Sequence, residues 1–155
     1  MLKENKSILR HLKYYNMEFN KIIAVTGKPG LFQILSQTKT GVIVRSIVDG
    51  KRFPITATHN VSLLENIAIY TYETEVPLAE VFKSMAEKSE GKETISHKES
   101  AKKLESYFSE ILPGYDEERV YASNIKKVIQ WYNTLAKSDF DFSSLAQVAT
   151  TQEEE

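Results

Sequence analysis

The residues that come nearest to a phosphate-binding loop are Gly27-Lys28-Pro29-Gly30. That chemistry needs a longer glycine-rich loop that ends Gly-Lys-Ser/Thr and opens a helix, so that successive amides can cradle a phosphate. Here Leu31-Phe32-Gln33-Ile34 follows and reads as a strand, and Pro29 removes one of the amides. The segment instead predicts a type II turn, with Pro29 setting φ at the second position and Gly30 supplying positive φ at the third. His11, His59 and His97 are far apart in sequence and none sits at helical ligand spacing, so no metal centre is expected. His59, beside Asn60 in a polar loop, is the one placed to line a site, while His97 is expected in solvent. Asp116-Glu117-Glu118 reads as negative charge near a helix start rather than an acid–base pair. The chain has no cysteine, which excludes disulfides, thiol catalysis and thiolate-bound zinc. It also lacks the Gly-x-Ser-x-Gly turn of serine hydrolases. No catalytic residue and no cofactor are assigned.

Two other sets could do the chemistry of recognition. Lys28, Arg45, Lys51 and Arg52, with Tyr70 and Tyr72, combine cations with flat rings on a β-rich stretch. On one surface they would bind single-stranded nucleic acid, the cations neutralising phosphates and the tyrosines stacking on bases. Strict alternation places Arg45 between Ile43 and Ile47, so it is the member expected to turn inward. The alternative is that Tyr70 and Tyr72 pack beneath helices. Trp131 and Tyr132 form the second set. Trp131 lies off the main apolar stripe of its helix, near Lys127 and Thr134, as an interface anchor would.

The elements that must position these residues fall into two halves. Lys21–Thr26, Leu31–Thr38, Val42–Val48, Lys51–Thr56 and Ile67–Tyr72 have β-forming composition and are separated by turn residues. Asp49-Gly50 predicts a type I′ hairpin. Pro54 marks its strand as an edge or a bulge. Val61–Asn66 predicts a helical turn. Five short strands with tight turns imply a small closed barrel, SH3-like in layout. After Val76 the apolar period changes to that of helices. Leu78, Val81, Phe82, Met85 and Ala86 make one stripe, Ala101, Leu104, Phe108, Ile111 and Leu112 a second, and Ile125, Val128, Ile129, Tyr132 and Leu135 a third. Ser96 and Glu99 fit a capping box for the second helix, and Ser123 a cap for the third. The fold class read from sequence is α+β: an N-terminal arm over residues 1–16, a barrel over 17–75, a bundle of three helices over 76–137, and a mostly disordered tail over 138–155.

Charge divides the same way. Residues 17–72 carry six basic and three acidic side chains, and residues 73–155 carry ten basic and seventeen acidic ones. The net charge of −1 argues against strong non-specific nucleic-acid binding, which depends on neutralising many phosphates. No apolar run approaches the ~20 residues of a membrane helix, and no apolar core of a signal peptide follows the first charges. With the absence of cysteine, this leads to an expected cytoplasmic location.

Three strings carry a resemblance: KIIAVTGKPGLFQILSQTKTGVIVRSI, KRFPITATHNVSLLENIAIYTYETEVPLAEVF and LPGYDEERVYASNIKKVIQWYNTL. They resemble a family of small uncharacterised proteins from Bacteroidetes-type bacteria, known as a domain of unknown function. The resemblance spans Met17 to Leu135 and leaves residues 1–16 outside. It implies a bacterial cytosolic setting and brings no catalytic motif or ligand. Three functions are therefore expected, in order: a non-catalytic adaptor or self-associating module, an RNA-binding module using the β half, and an enzyme with an unrecognised site.

Overall fold

The computed structural model describes residues 17–145, so the expected arm at 1–16, with His11, and the end of the expected tail lie outside the described residues. Strands β1 (Ile22–Val25), β2 (Lys28–Gln37), β3 (Gly41–Ser46), β4 (Arg52–Thr56) and β5 (Val61–Leu63) form one antiparallel sheet in the order β4-β3-β2-β1-β5. Strands β6 (Ala68–Tyr70) and β7 (Glu75–Pro77) form a second, two-stranded sheet. Helices α1 (Leu78–Ser89), α2 (Ala101–Ile111) and α3 (Ala122–Lys137) follow. The chain is α+β, as its two periodicities require.

The fifth strand is not the expected one. Val61–Leu63 pairs with β1, and a 3-10 turn at Leu64–Asn66 follows it. The stretch expected to close the barrel pairs instead with β7, through Ile69 opposite Val76. Among the described residues no pairing joins β4 to β5, so the sheet stays open and no closed barrel is found. It is nonetheless strongly curved. Phe53 is level with Val44 and Ile34 across the ladder, six residues along β2 from Lys28, or about 20 Å on a flat sheet. Yet the Lys28 ammonium lies 4.6 Å from the Phe53 ring centre. Register shifts in β1 and β2 are irregularities that bend a sheet in this way.

The turns also moved. Val25 pairs with Lys28, so the first reversal is Thr26-Gly27, with Gly27 at φ 85°, and Lys28, Pro29 and Gly30 already belong to β2. Asp49-Gly50 does not form a type I′ turn, because only Gly50 is left-handed. Ser46 and Lys51 close a longer loop, in which the Asp49 carboxylate accepts from the Lys51 amide at 2.9 Å.

The curved sheet has apolar residues on both faces. Ile23, Val25, Phe32, Val44 and Ile55 form a small core within its curve. Met17, Phe19, Ile22, Leu31, Ile47 and Leu64 join the buried stripes of all three helices in a second, larger core. Each stripe read from sequence is buried along most of its length, with Tyr107 added on α2. The caps differ. Ser100, not Ser96, caps α2 by accepting from the Lys103 amide, and Tyr121, not Ser123, stands at the N-cap of α3, its amide donating to Asn124 Oδ1 at 2.9 Å. Past α3, Asp139 takes a left-handed conformation (φ 57°) and turns the chain back. Phe140, Phe142 and Leu145 are then buried, and Phe142 stacks on Tyr132 at 4.8 Å. The first part of the expected loose tail is thus part of the core, because its aromatics cover the end of the helical stack.

Candidate functional site

The six residues of the nucleic-acid set are not brought together. Lys51 and Arg52 are exposed at the edge strand β4. Lys28 is drawn over Phe53. Arg45 is half-buried and donates to Gln33 Oε1 at 2.9 Å, on the same side of the sheet as the buried Ile22. It is inward-turned, as alternation requires. Tyr70 belongs to the second sheet, not to this one, and Tyr72 lies in the bend just past β6. Both stay partly exposed, at 39% and 62%. Of the second set, Tyr132 is fully buried, with its hydroxyl donating to the Lys92 carbonyl at 2.8 Å, and so presents no surface. Trp131 is half-buried and packs on the main core.

Tyr70 and Trp131, drawn from different sets, meet at one cleft of about 190 Å³ between β6 and the start of α3. Ile67, Ile69, Val120 and Val128 make its apolar floor, and Arg119 and Lys127 supply positive charge. The helical period places Lys127 and Trp131 four residues apart on one side of α3.

The loop between α2 and α3 fixes the cleft wall. Gly114 accepts from the Tyr72 amide, and the Asp116 amide donates to the Tyr70 carbonyl at 2.9 Å, so this loop forms a short ladder with the end of β6. Asp116 is buried, and its carboxylate accepts from Arg119 Nε at 2.8 Å and from the Glu118 amide at 3.0 Å. That bond aims the Arg119 guanidinium over the Tyr70 ring, 4.1 Å from its centre. The Arg119 hydrogen bond, helped by the backbone amide, holds the Asp116 carboxyl below the usual carboxylate range. Asp116 is thus a positioning residue that the sequence reading took for simple charge. The signal available was its spacing of three from Arg119, but the stacking partner Tyr70 lies 49 residues before Arg119 and carries no local mark.

The histidines lie elsewhere. His59 Nδ1 accepts from the Thr56 amide at 3.1 Å and shapes the β4–β5 turn. Burial, and then the nearby lysines of which Lys126 is foremost, push His97 below its ordinary value. Two wider hollows, of about 490 and 610 Å³, have mixed linings: the first sets Lys83, Glu87 and Asp141 beside Phe140 and Phe142, and in the second four of the charged side chains are already paired as Lys88–Glu110 and Lys103–Glu99. Among the described residues no helix is long and apolar enough to cross a membrane.

Comparison with known proteins matches this organisation. Residues 19–64 match a domain of unknown function, DUF5606, and residues 67–135 match a second, DUF6852. The two meet between β5 and β6, so the cleft, with both its walls, lies in the second. No curated protein matches. A solution NMR structure from Bacteroides vulgatus, a structural-genomics target, is similar over 81% of this chain and 91% of its own, at 40% identity and a TM-score of 0.68. The chain, with these two domains of unknown function in tandem, therefore belongs to an uncharacterised Bacteroidetes-type family.

Proposed function

We propose that this protein is a non-catalytic protein-binding module of the cytosol, and that its contact surface is the cleft between β6 and α3. The observation that carries this reading is the convergence of Tyr70, Arg119 and Trp131 on one concave patch with an apolar floor. Tyr, Trp and Arg are the residues in which binding energy concentrates at protein interfaces, most of all where they border a pocket. The cleft is smaller than the ~300–1,000 Å³ of small-molecule sites. It suits a side chain presented by another protein better than a whole metabolite. The scatter of Lys28, Arg45, Lys51 and Arg52 over the sheet weighs against an RNA surface, since charge and stacking residues would have to follow one strand. We read the curved sheet itself as SH3-like in layout, a support for the second domain rather than its binding face.

Site-specific photo-crosslinking in the native bacterium tests this. A crosslinker at Lys127 is expected to capture a discrete protein, which is lost on adding Arg119→Glu. The same crosslinker at Lys51 is expected to capture none. Equal capture at both positions, or a product removed by ribonuclease, would rule the reading out.

A further inference from the structure

We propose that the cleft takes its partner as an added β-strand: an extended, acidic segment that pairs antiparallel with β6 and places one large apolar side chain between Tyr70 and Trp131. This deepens the reading of the cleft as a protein-binding surface and rests on it. The starting observation is the hydrogen-bond phase of β6. The Ile67 carbonyl accepts from the Leu78 amide, Ile69 pairs with Val76, and the Thr71 amide donates to the Thr74 carbonyl. Residues 67, 69 and 71 therefore turn their main-chain groups toward β7, and residues 68, 70 and 72 turn theirs the other way.

On that other side the ladder begins and then stops. The Tyr72 amide donates to the Gly114 carbonyl and the Tyr70 carbonyl accepts from the Asp116 amide. At Asp116 the chain leaves: its carbonyl accepts from the amides of Arg119 and Val120, which coils the loop away from β6 and into α3. The amide of Tyr70 and both main-chain groups of Ala68 point along the same edge, past the last rung. Both residues are exposed. The cleft lies where the next rungs would be, with Ala68 and Tyr70 on one wall and Val120 on the other. An unfinished ladder beside an apolar hollow is the arrangement that strand addition uses: main-chain bonds hold the peptide and the hollow selects a side chain.

The charge of the rim selects the sign of the partner. Arg119 is held by Asp116 and stacked on Tyr70. Lys127 is exposed on the cleft rim, and among the described residues it enters none of the ion pairs. A carboxylate beside the inserted side chain would meet it.

Trp131, the only tryptophan in the chain, lines the cleft and reports directly on its occupancy. The probes are blocked synthetic peptides in which Glu alternates with Val, Leu or Phe, the same peptides N-methylated at alternate amides, their Lys-for-Glu counterparts, and oligouridylate. We expect saturable changes in Trp131 emission, with amide shifts at Ala68 and Tyr70, for the Glu peptides. N-methylation is expected to weaken binding about tenfold or more, as loss of two main-chain hydrogen bonds implies. The Ala68→Pro variant removes an edge amide without touching the bonds to β7, and Ile67 already has the extended conformation (φ −86°, ψ 135°) that suits a residue before proline. It is expected to lose binding to the same degree, and Lys127→Glu, on the helix surface, to reverse the preference between Glu and Lys peptides. Cleft binding that N-methylation leaves unchanged would overturn strand addition while the crosslinking result at Lys127 still stands. Silence of Trp131 toward every peptide, or a response to oligouridylate in their place, would overturn the inference as well.

Discussion

Residues 17–66, which hold the five-stranded sheet, carry three aromatic and six basic side chains, residues 67–135 carry nine of each, and the two stretches use them differently. In the sheet several of these groups are turned to the fold itself, while Lys51 and Arg52 stay exposed at the edge: Lys28 covers Phe53, Phe53 meets Phe32 edge-on at 5.2 Å, and Arg45 is tied to Gln33. In the second segment a comparable set is arranged outward, with Arg119 held over Tyr70 and Trp131 completing the cleft. The difference follows from what each segment must bury. The sheet has few residues inside its curve, five in the small core, and its other face depends on helices supplied by the second segment. Helices with full stripes can leave side chains over for recognition.

The most severe test of this contrast is to separate the segments. Residues 17–66 alone expose the faces of Phe19, Ile22, Leu31, Ile47 and Leu64, all buried in the shared core. A unit of this size buries too little surface to offset that loss. The fragment is expected to show no cooperative thermal transition by circular dichroism. A sharp, reversible melt would make the sheet an autonomous domain and remove the dependence argued here.

Within the intact chain, Phe82→Ala strikes the shared core where Phe82 packs edge-on against both Phe19 and Tyr132. A loss of about 3–5 kcal/mol is expected. Ile55→Ala, in the small core, is expected to lose about 2–3 kcal/mol, since the curved edge can relax around it. Chemical denaturation followed by both far-ultraviolet dichroism and Trp131 fluorescence should give one coincident transition for each variant. Two separated transitions would mean that the cores melt independently.

How much of this was legible depends on how local the cause is. Helical stripes are local, and all three are legible in the sequence, although in the second Ala101 is exposed and Tyr107 is buried in addition. The strand assignment failed where the pattern was too short to speak. Val61–Leu63 has three residues, and nothing in three residues separates a strand from a turn. Ile67–Tyr72 does alternate, but alternation does not say which sheet a strand joins. The type I′ turn failed because Asp49 found another use, its carboxylate bonding the Lys51 amide and favouring a longer loop. The cleft was visible only as two unrelated residues, Tyr70 and Trp131. Their meeting depends on the α2–α3 loop running back along β6, a tertiary event with no sequence period.

A smaller effect probes how tightly the sheet curves. Gly41, at the start of β3, comes so close to β4 that an added Cβ would lie 1.9 Å from the Ile55 carbonyl oxygen. The obstruction is backbone and cannot swing aside. Gly41→Ala is expected to cost about 1–3 kcal/mol, the usual range for an overpacked site. It should leave the cleft unchanged, because β3 lies in the other domain. Measured peptide binding by Trp131 fluorescence equal to that of the parent protein would bear this out. A matching loss of binding would show that the curvature of the sheet is transmitted to β6.

The smallest expected effect concerns the residue that aims Arg119. The Asp116 carboxyl is held below its ordinary value, foremost by the Arg119 hydrogen bond, so the folded protein takes up this proton less readily than the unfolded chain does. Its contribution to stability is therefore complete above the ordinary carboxylate value, near ~3.9, and is lost as pH falls from there through the lower folded value. Asp116→Asn keeps an acceptor for the Glu118 amide but loses the charge facing Arg119. The variant should melt below the parent at neutral pH, and the gap should narrow as the pH is taken below about 4. Melting curves across that range separate this from a purely steric defect, which would leave the gap constant. The same variant frees the guanidinium from its place over Tyr70, so peptide binding should weaken at neutral pH even at temperatures where the protein remains folded. If binding is untouched while stability falls, Asp116 braces the α2–α3 loop alone, and Arg119 finds the Tyr70 ring without its help.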